Sequence, residues 1–228
     1  MDNETRHEKE VAAFFDLDLT IVRKDTFRMF LRYWYLRKMK NWKHLPATFL
    51  FGLLRKLRLI SLRKFKEVSL LSLKGMSKSE IEHIGKIFYE REIESNILQS
   101  AIKTIDFHRN RKEFVFLVSG CPDIYLNALA EYLNVDKYFC TELLYRNNSY
   151  TGRIKGSDCL WDEKVNRIKN DEFIRNLNLD FNASYAYADG ESDIPLLSLV
   201  GNPCIVNPNV KMRRWAAENK WQIQIWSQ

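Results

Sequence analysis

Val11-Ala-Ala-Phe-Phe15 is an apolar run that stops at Asp16. A run this short and this apolar predicts a strand buried on both faces, with carboxylates delivered at its C-terminal end. From Thr26 the spacing changes. Phe27, Phe30, Leu31, Trp34 and Tyr35 recur at helical intervals and predict an amphipathic helix. Pro46 suits the first turn of a second helix, which sets Leu50, Leu53, Leu54 and Leu57 on one side. Ser77 and Glu80 form an S-x-x-E capping box that opens another helix, running through Tyr89 and Ile93. A further helix is predicted over residues 96–109.

The period then shifts to that of strands. Residues 114–118 are wholly apolar and end in Ser119-Gly120, predicting a second buried strand, followed by Pro122 and a helix over 123–133. Residues 139–154 predict a hairpin turning at Asn147-Asn148. Then come a helix over 160–176, a strand over 184–188 and a short helix over 194–200. Strands at 204–206 and 222–225 flank a helix over 209–219. This alternation predicts an α/β fold with a Rossmann-like open parallel sheet and helices on both faces. The helical stretch after the first strand interrupts it. It reads as an α-helical cap of residues 25–95 inserted into a core of residues 1–24 and 96–228.

Composition narrows the class. The chain has 228 residues, 46% apolar, with only 8 Gly and 5 Pro, which excludes disorder and a collagen-like repeat. Four cysteines without a CxxC pair read as free thiols in a reducing compartment. The first ten residues mix charges and lack an apolar h-region, so no secretory signal is expected there. No apolar run approaches the ~20 residues that span a bilayer. The expected location is the cytoplasm, with a peripheral place at the inner face of the membrane as an option. Charge is concentrated: residues 23–66 hold 14 Lys and Arg against one acid, Asp25, a local charge of +13 in a chain of net +7.

Open α/β sheets bind ligands beyond the carboxyl ends of their strands. Here those ends carry Asp16-Leu-Asp-Leu-Thr20, Ser119-Gly120 and Asp189-Gly-Glu-Ser-Asp193, with Lys164 at the start of a helix. Gathered in one cleft, the carboxylates repel one another and raise each other's pKa. A hard divalent cation relieves this, and Mg²⁺ suits a phosphate substrate. An ionised Asp then serves as nucleophile, a second carboxylate as acid and base, and Lys and Ser as holders of the phosphoryl oxygens. Taken singly, these residues are turn formers, helix starts and solvated charges. Their joint occurrence points to chemistry. His7, His44, His83 and His108 have no metal-like spacing, and Trp161 and Trp215 read as packing residues.

The four motifs, in this order, resemble those of the haloacid dehalogenase superfamily of phosphatases. The insert, together with Asp193-Ile-Pro-Leu-Leu and Asn207-Pro-Asn, is similar to its phosphoserine-phosphatase-like branch, which includes a phosphatidylglycerophosphatase C type with a basic cap. The resemblance implies a Mg²⁺-dependent phosphomonoester hydrolase acting through an aspartyl-phosphate. Asp16 would be the nucleophile and Asp18 the general acid and base. Asp16, Asp18 (through its carbonyl), Asp189 and Asp193 would hold the metal. Ser119, Gly120 and Lys164 would bind the phosphoryl group. Asp25 falls where phosphoserine phosphatases read the substrate's ammonium, and it also suits the N-cap of the first cap helix. Leu19 departs from the family, which often has a small residue there. The implied substrate is a small-metabolite phosphate, phosphoserine among them, or a lipid phosphate.

Two readings compete for the basic insert. Its bases are solvated and concentrate anionic substrate, or Phe27, Trp34, Tyr35, Trp42, Phe49 and Phe51 enter a headgroup layer while Lys and Arg meet anionic lipid. The run has no zinc spacing and no RNA-recognition sequence, which argues against nucleic acid. A non-catalytic membrane-surface or interaction module is the alternative from another class. The complete set Asp16, Asp18, Ser119, Lys164, Asp189 and Asp193 favours an enzyme.

Overall fold

The computed structural model describes residues 9–37 and 43–227. His7 and Trp42 lie outside them. Strand β1 (Ala12–Phe15) is buried along its whole length and pairs in parallel with β2 (Phe114–Pro122) on one side and β6 (Tyr185–Ala188) on the other. Among the described residues the main sheet has six parallel strands in the order β3-β2-β1-β6-β7-β8, with β3 at Lys137–Thr141, β7 at Asn202–Val206 and β8 at Gln222–Gln224. The period of two sorts the side chains. Ala13, Phe15, Val115 and Leu117 join one core cluster, and Ala12, Phe14, Phe116 and Val118 the other, on the opposite face. Helices α5 (Gln99–Asn110) and α6 (Leu126–Leu133) cover the first face. Helices α7 (Asp162–Asn170), α8 (Glu172–Asn176), α9 (Ile194–Leu197) and α10 (Val210–Asn219) cover the second.

Between β1 and β2 run α1 (Thr26–Arg37), α2 (Leu45–Lys56), α3 (Leu62–Ser69) and α4 (Lys78–Phe88), the last followed by a π-helical turn at Tyr89–Ile93. The capping box of α4 is formed in both directions between Ser77 and Glu80. The apolar stripe of α1 faces inward: Phe30 stacks on Trp34 and meets Phe88 and Tyr125. Phe27, Trp34 and Tyr35 are also buried and not available to a headgroup layer: Phe27 packs on Phe65, Trp34 bonds Ser72 and Tyr35 bonds Thr48 and the Ser69 carbonyl, all within the inserted helices. Of the remaining aromatics of that reading, Phe49 is exposed and Phe51 half-buried. Among the described residues no helix is long and apolar enough to cross a membrane.

Three further expectations are corrected. Residues 137–141 form a parallel strand of the main sheet, and the hairpin is β4 (Leu143–Arg146) with β5 (Ser149–Ile154). Its turn is at Asn147-Asn148 as expected, both with positive φ (49° and 58°), which matches the twist of a two-residue hairpin loop. The helix over 160–176 breaks at Asp171, whose side chain caps α8 through the amide of Ile174. Trp161 is half exposed with a φ of 54° and does not pack in the core, whereas Trp215 lies against Trp221. His108 has a structural place, its ring bonded to Glu113 (2.6 Å) and the Tyr187 hydroxyl (2.9 Å).

The inserted helices meet the core at a backbone contact. A Cβ added to Gly85 of α4 would fall 1.7 Å from the carbonyl oxygen of Ile124. Gly85→Ala is expected to lower stability by about 1–3 kcal/mol, read as a lower urea midpoint. An unchanged midpoint would show that α4 does not rest on the core at this point.

Candidate active site

The polar residues at the strand ends converge. Oxygen atoms of Asp16 after β1, Asp189 after β6 and Asp193 lie within 4.8 Å of one another. Lys164, on α7 and only 1% exposed, donates to Asp16 Oδ1 and Asp193 Oδ1, both at 2.5 Å, and to the Val118 carbonyl at 2.9 Å. Asp18, Asp25, Ser119 and Gly120 line the same cavity of about 180 Å³. A larger cavity of about 870 Å³ opens beside α6, β3 and α7, but none of the predicted site residues lines it.

The local backbone explains the aim of these groups. The Asp16 amide is fixed by the Tyr187 carbonyl (2.9 Å), so the strand pairing holds the first carboxylate. The chain then reverses, and the Leu17 carbonyl accepts from the amides of Thr20, Ile21 and Val22. Leu19 sits in this turn with a φ of 60°, half exposed at the wall of the cavity. A leucine there costs about 1–2 kcal/mol of backbone strain relative to right-handed conformations, but it leaves both carboxylates in place. On the other side, a short 3-10 turn (Glu191–Asp193) brings Asp193 back to the cluster.

Asp18 occupies a separate polar nest. Its Oδ1 accepts from the amide (2.8 Å) and hydroxyl (2.6 Å) of Thr26, and its Oδ2 from the Cys121 thiol (3.1 Å). The Thr26 hydroxyl also meets that of Tyr125 (2.8 Å). The Asp18 side chain is thus outside the group of three carboxylates. Burial, and then the charge of Asp25, raise its pKa against the pull of Thr26 and Cys121.

In the cluster, burial raises the pKa of Asp16. Lys164 opposes the rise, and Asp193 and Asp189 add to it. Asp189 is pushed up to about 7 by burial and by Asp193. Lys164 stays above the usual lysine range despite its burial, because Asp16 and Asp193 stabilise its charge. Three carboxylates share one ammonium, and the rise of Asp189 reflects its burial first and the neighbouring charge of Asp193 second. An all-oxygen donor set of this charge fits a hard divalent cation.

Asp25 takes the helix-cap place expected of it. Its Oδ1 accepts from the Arg28 amide (2.8 Å) as the cap of α1, its other carboxylate oxygen pairs with the Arg28 guanidinium (3.1 Å), and its carboxylate lines the cavity. Ser119 is buried at the cavity wall, and its Oγ accepts from the Cys121 amide (3.1 Å). Sequence reasoning missed Lys66. This residue of α3 is 3% exposed and donates to the Gly120 carbonyl (2.6 Å) and Asp158 Oδ1 (3.0 Å), so the insert places an ammonium beside the site. Leu62, Lys66 and Leu70 recur every four residues, and a lysine on an apolar stripe was the available signal. Thr26 and Tyr125, the partners behind Asp18, were also missed. No motif in the linear chain joins them.

Comparison with known proteins agrees with this geometry. The sequence profile of the haloacid dehalogenase-like hydrolases matches residues 13–198. Phosphoserine phosphatase SerB1 of Mycobacterium tuberculosis (strain ATCC 25618 / H37Rv) is 26% identical over 219 residues, covering 93% of this chain and 70% of that protein. The histidinol-phosphatase of Neisseria meningitidis serogroup C (strain 8013) is 24% identical over 161 residues, covering 70% of this chain and 72% of that one. A protein of unknown function from Bordetella pertussis Tohama I superposes with a TM-score of 0.83 at 23% identity, over 94% of this chain and 98% of that one. A substrate-bound phosphoserine phosphatase superposes with a TM-score of 0.64 at 19% identity, over 91% and 90%. With its sheet, its inserted helices, three motifs at strand ends and Lys164 on α7, the chain belongs to the haloacid dehalogenase-like hydrolases.

Proposed function

We propose that this hydrolase is a Mg²⁺-dependent phosphatase that cleaves phosphate monoesters through an aspartyl-phosphate on Asp16. The observation that carries the reading is the division of labour between two aspartates two residues apart. Asp16 belongs to the cation-ready cluster with Lys164, Asp189 and Asp193, and Asp18 is held apart by Thr26 and Cys121. A cation held by Asp16, Asp189, Asp193 and the Asp18 carbonyl would keep Asp16 ionised and offset the phosphoryl charge. The Asp18 side chain, outside that set and with a raised pKa, stays available as a proton donor.

Asp16 then attacks phosphorus, the ester P–O bond breaks, and the leaving oxygen takes the proton of Asp18. Asp18 next accepts a proton from water, whose oxygen attacks phosphorus. The bond to Asp16 breaks and phosphate leaves. Ser119, the Gly120 amide and Lys164 hold the phosphoryl oxygens. Residues 25–95 act as the cap over a core of residues 1–24 and 96–228, with Lys66 as its charged contribution. The substrate class is a small phosphorylated metabolite. Asp25 at the cavity edge supports one bearing an amine, and relatives named for phosphoserine and histidinol phosphates agree with that.

Phosphate release from a panel of amino-acid, sugar and lipid phosphates tests the class, with aminated esters expected to turn over fastest. Asp16→Asn is expected to lower kcat by roughly 10³-fold or more, and retained turnover would remove the mechanism. Thr26→Val keeps the volume but deletes a hydroxyl that lowers the Asp18 pKa. The alkaline limb of kcat/KM, set by loss of the Asp18 proton, should therefore move to higher pH. Mg²⁺ should raise Tm, by less in Asp189→Asn. The increment should shrink as pH falls through about 7, where protons compete for Asp189. A Tm that ignores Mg²⁺ at every pH would sink the metal assignment.

A further inference from the structure

Helix α2 shows its apolar side to solvent. Thr48 is its one buried residue, bonded through Oγ1 to the Tyr35 hydroxyl (3.0 Å), and Gly52 backs onto the ring of Phe65. These two residues define the inward side. Leu45, Phe49, Leu50, Leu53 and Leu57 fall within an arc of about 140° at helical spacing, which starts beside Gly52 and runs away from Thr48. Phe49 is 77% exposed, Leu50 51%, Leu53 47% and Leu57 58%, and the turn that follows adds Leu59 at 68%. Single exposed leucines are ordinary, but a contiguous apolar face of this kind marks a contact surface.

Charge decides what the face meets. Residues 43–64 carry Lys43, Arg55, Lys56, Arg58, Arg63 and Lys64 and no acid. Lys43, Lys56 and Arg58 are exposed at the two ends of the apolar face. A second copy of this surface would bring the same positive charge against it, which opposes a self-complementary interface. An apolar stripe with cationic ends matches an anionic lipid surface, where acyl chains take the stripe and phosphates take the bases. The helix has 12 residues, about 18 Å, enough to lie in the interface and too short to span it.

We propose that α2 and its following turn, residues 45–59, dock this protein on an anionic phospholipid membrane, with Phe49, Leu53 and Leu57 entering the headgroup–acyl boundary and Lys43, Lys56 and Arg58 on the phosphates. This moves the lipid contact away from the aromatics of α1, which are spent on packing. It is independent of which phosphate ester the active site takes.

The test uses the full chain and sedimentation with vesicles of phosphatidylcholine, with or without an equal part of phosphatidylglycerol, at low salt. The protein should sediment with the anionic vesicles and not with the neutral ones. Phe49→Ser with Leu53→Ser, at exposed positions away from the cavity, should weaken partitioning at least roughly tenfold. Its circular dichroism and its turnover of a soluble phosphate ester should be unchanged. Absent binding, equal binding to neutral vesicles, or equal binding by the serine variant would overturn the proposal. So would a wild-type dimer in sedimentation velocity that the serine pair dissolves without any vesicle binding, since the face would then be occupied by a second copy. An acidic protein partner is the reading left standing if vesicles never bind and the chain stays monomeric.

Discussion

The ammonium of Lys164 holds together groups that would otherwise separate. It is buried and bonded at once to Asp16, which follows the first strand, and to Asp193, which follows the sixth. An ammonium taken from water into this place costs several kcal/mol, and the two carboxylates and the Val118 carbonyl offset that cost only if all three are in position. The converse holds as well: without Lys164 three carboxylates would face each other with no cation from the chain between them. The arrangement is stable as a set and poor as a collection of parts. This ties the geometry of the site to the pairing of β1 with β2 and β6.

The inserted helices are not a loose appendage. Thr26 at the start of α1 bonds Asp18, and its hydroxyl reaches Tyr125 of the core. Phe30 and Phe88 pack on the same tyrosine, so the hydrophobic joint and the polar nest of Asp18 share one side chain. Lys66 adds a second tie, from α3 to the Gly120 carbonyl and Asp158. Movement of the insert therefore changes the surroundings of Asp18 while the Lys164 cluster, built from core residues alone, keeps its own.

The same insert divides its apolar residues between two uses. Those of α1 are covered by α3, α4 and Tyr125 of the core, whereas Phe49, Leu50, Leu53 and Leu57 of α2 are exposed. Both helices are amphipathic and lie in the same basic stretch, and they differ in what stands beside them.

The sequence by itself determined the alternation of short apolar runs with helical periods, the carboxylates at the ends of those runs, the capping box at Ser77 and Glu80, and the turn at Asn147-Asn148. Each rests on interactions between near neighbours, or on burial from both sides, which a linear pattern records. Tertiary structure alone decided that residues 137–141 join the main sheet, that Lys66 points to the site, that Thr26 and Tyr125 hold Asp18, and that α1 hides its aromatics while α2 does not. A helical stripe states that one side is apolar and not what will cover it. The partner comes from residues far along the chain, brought near only when the sheet closes around β1.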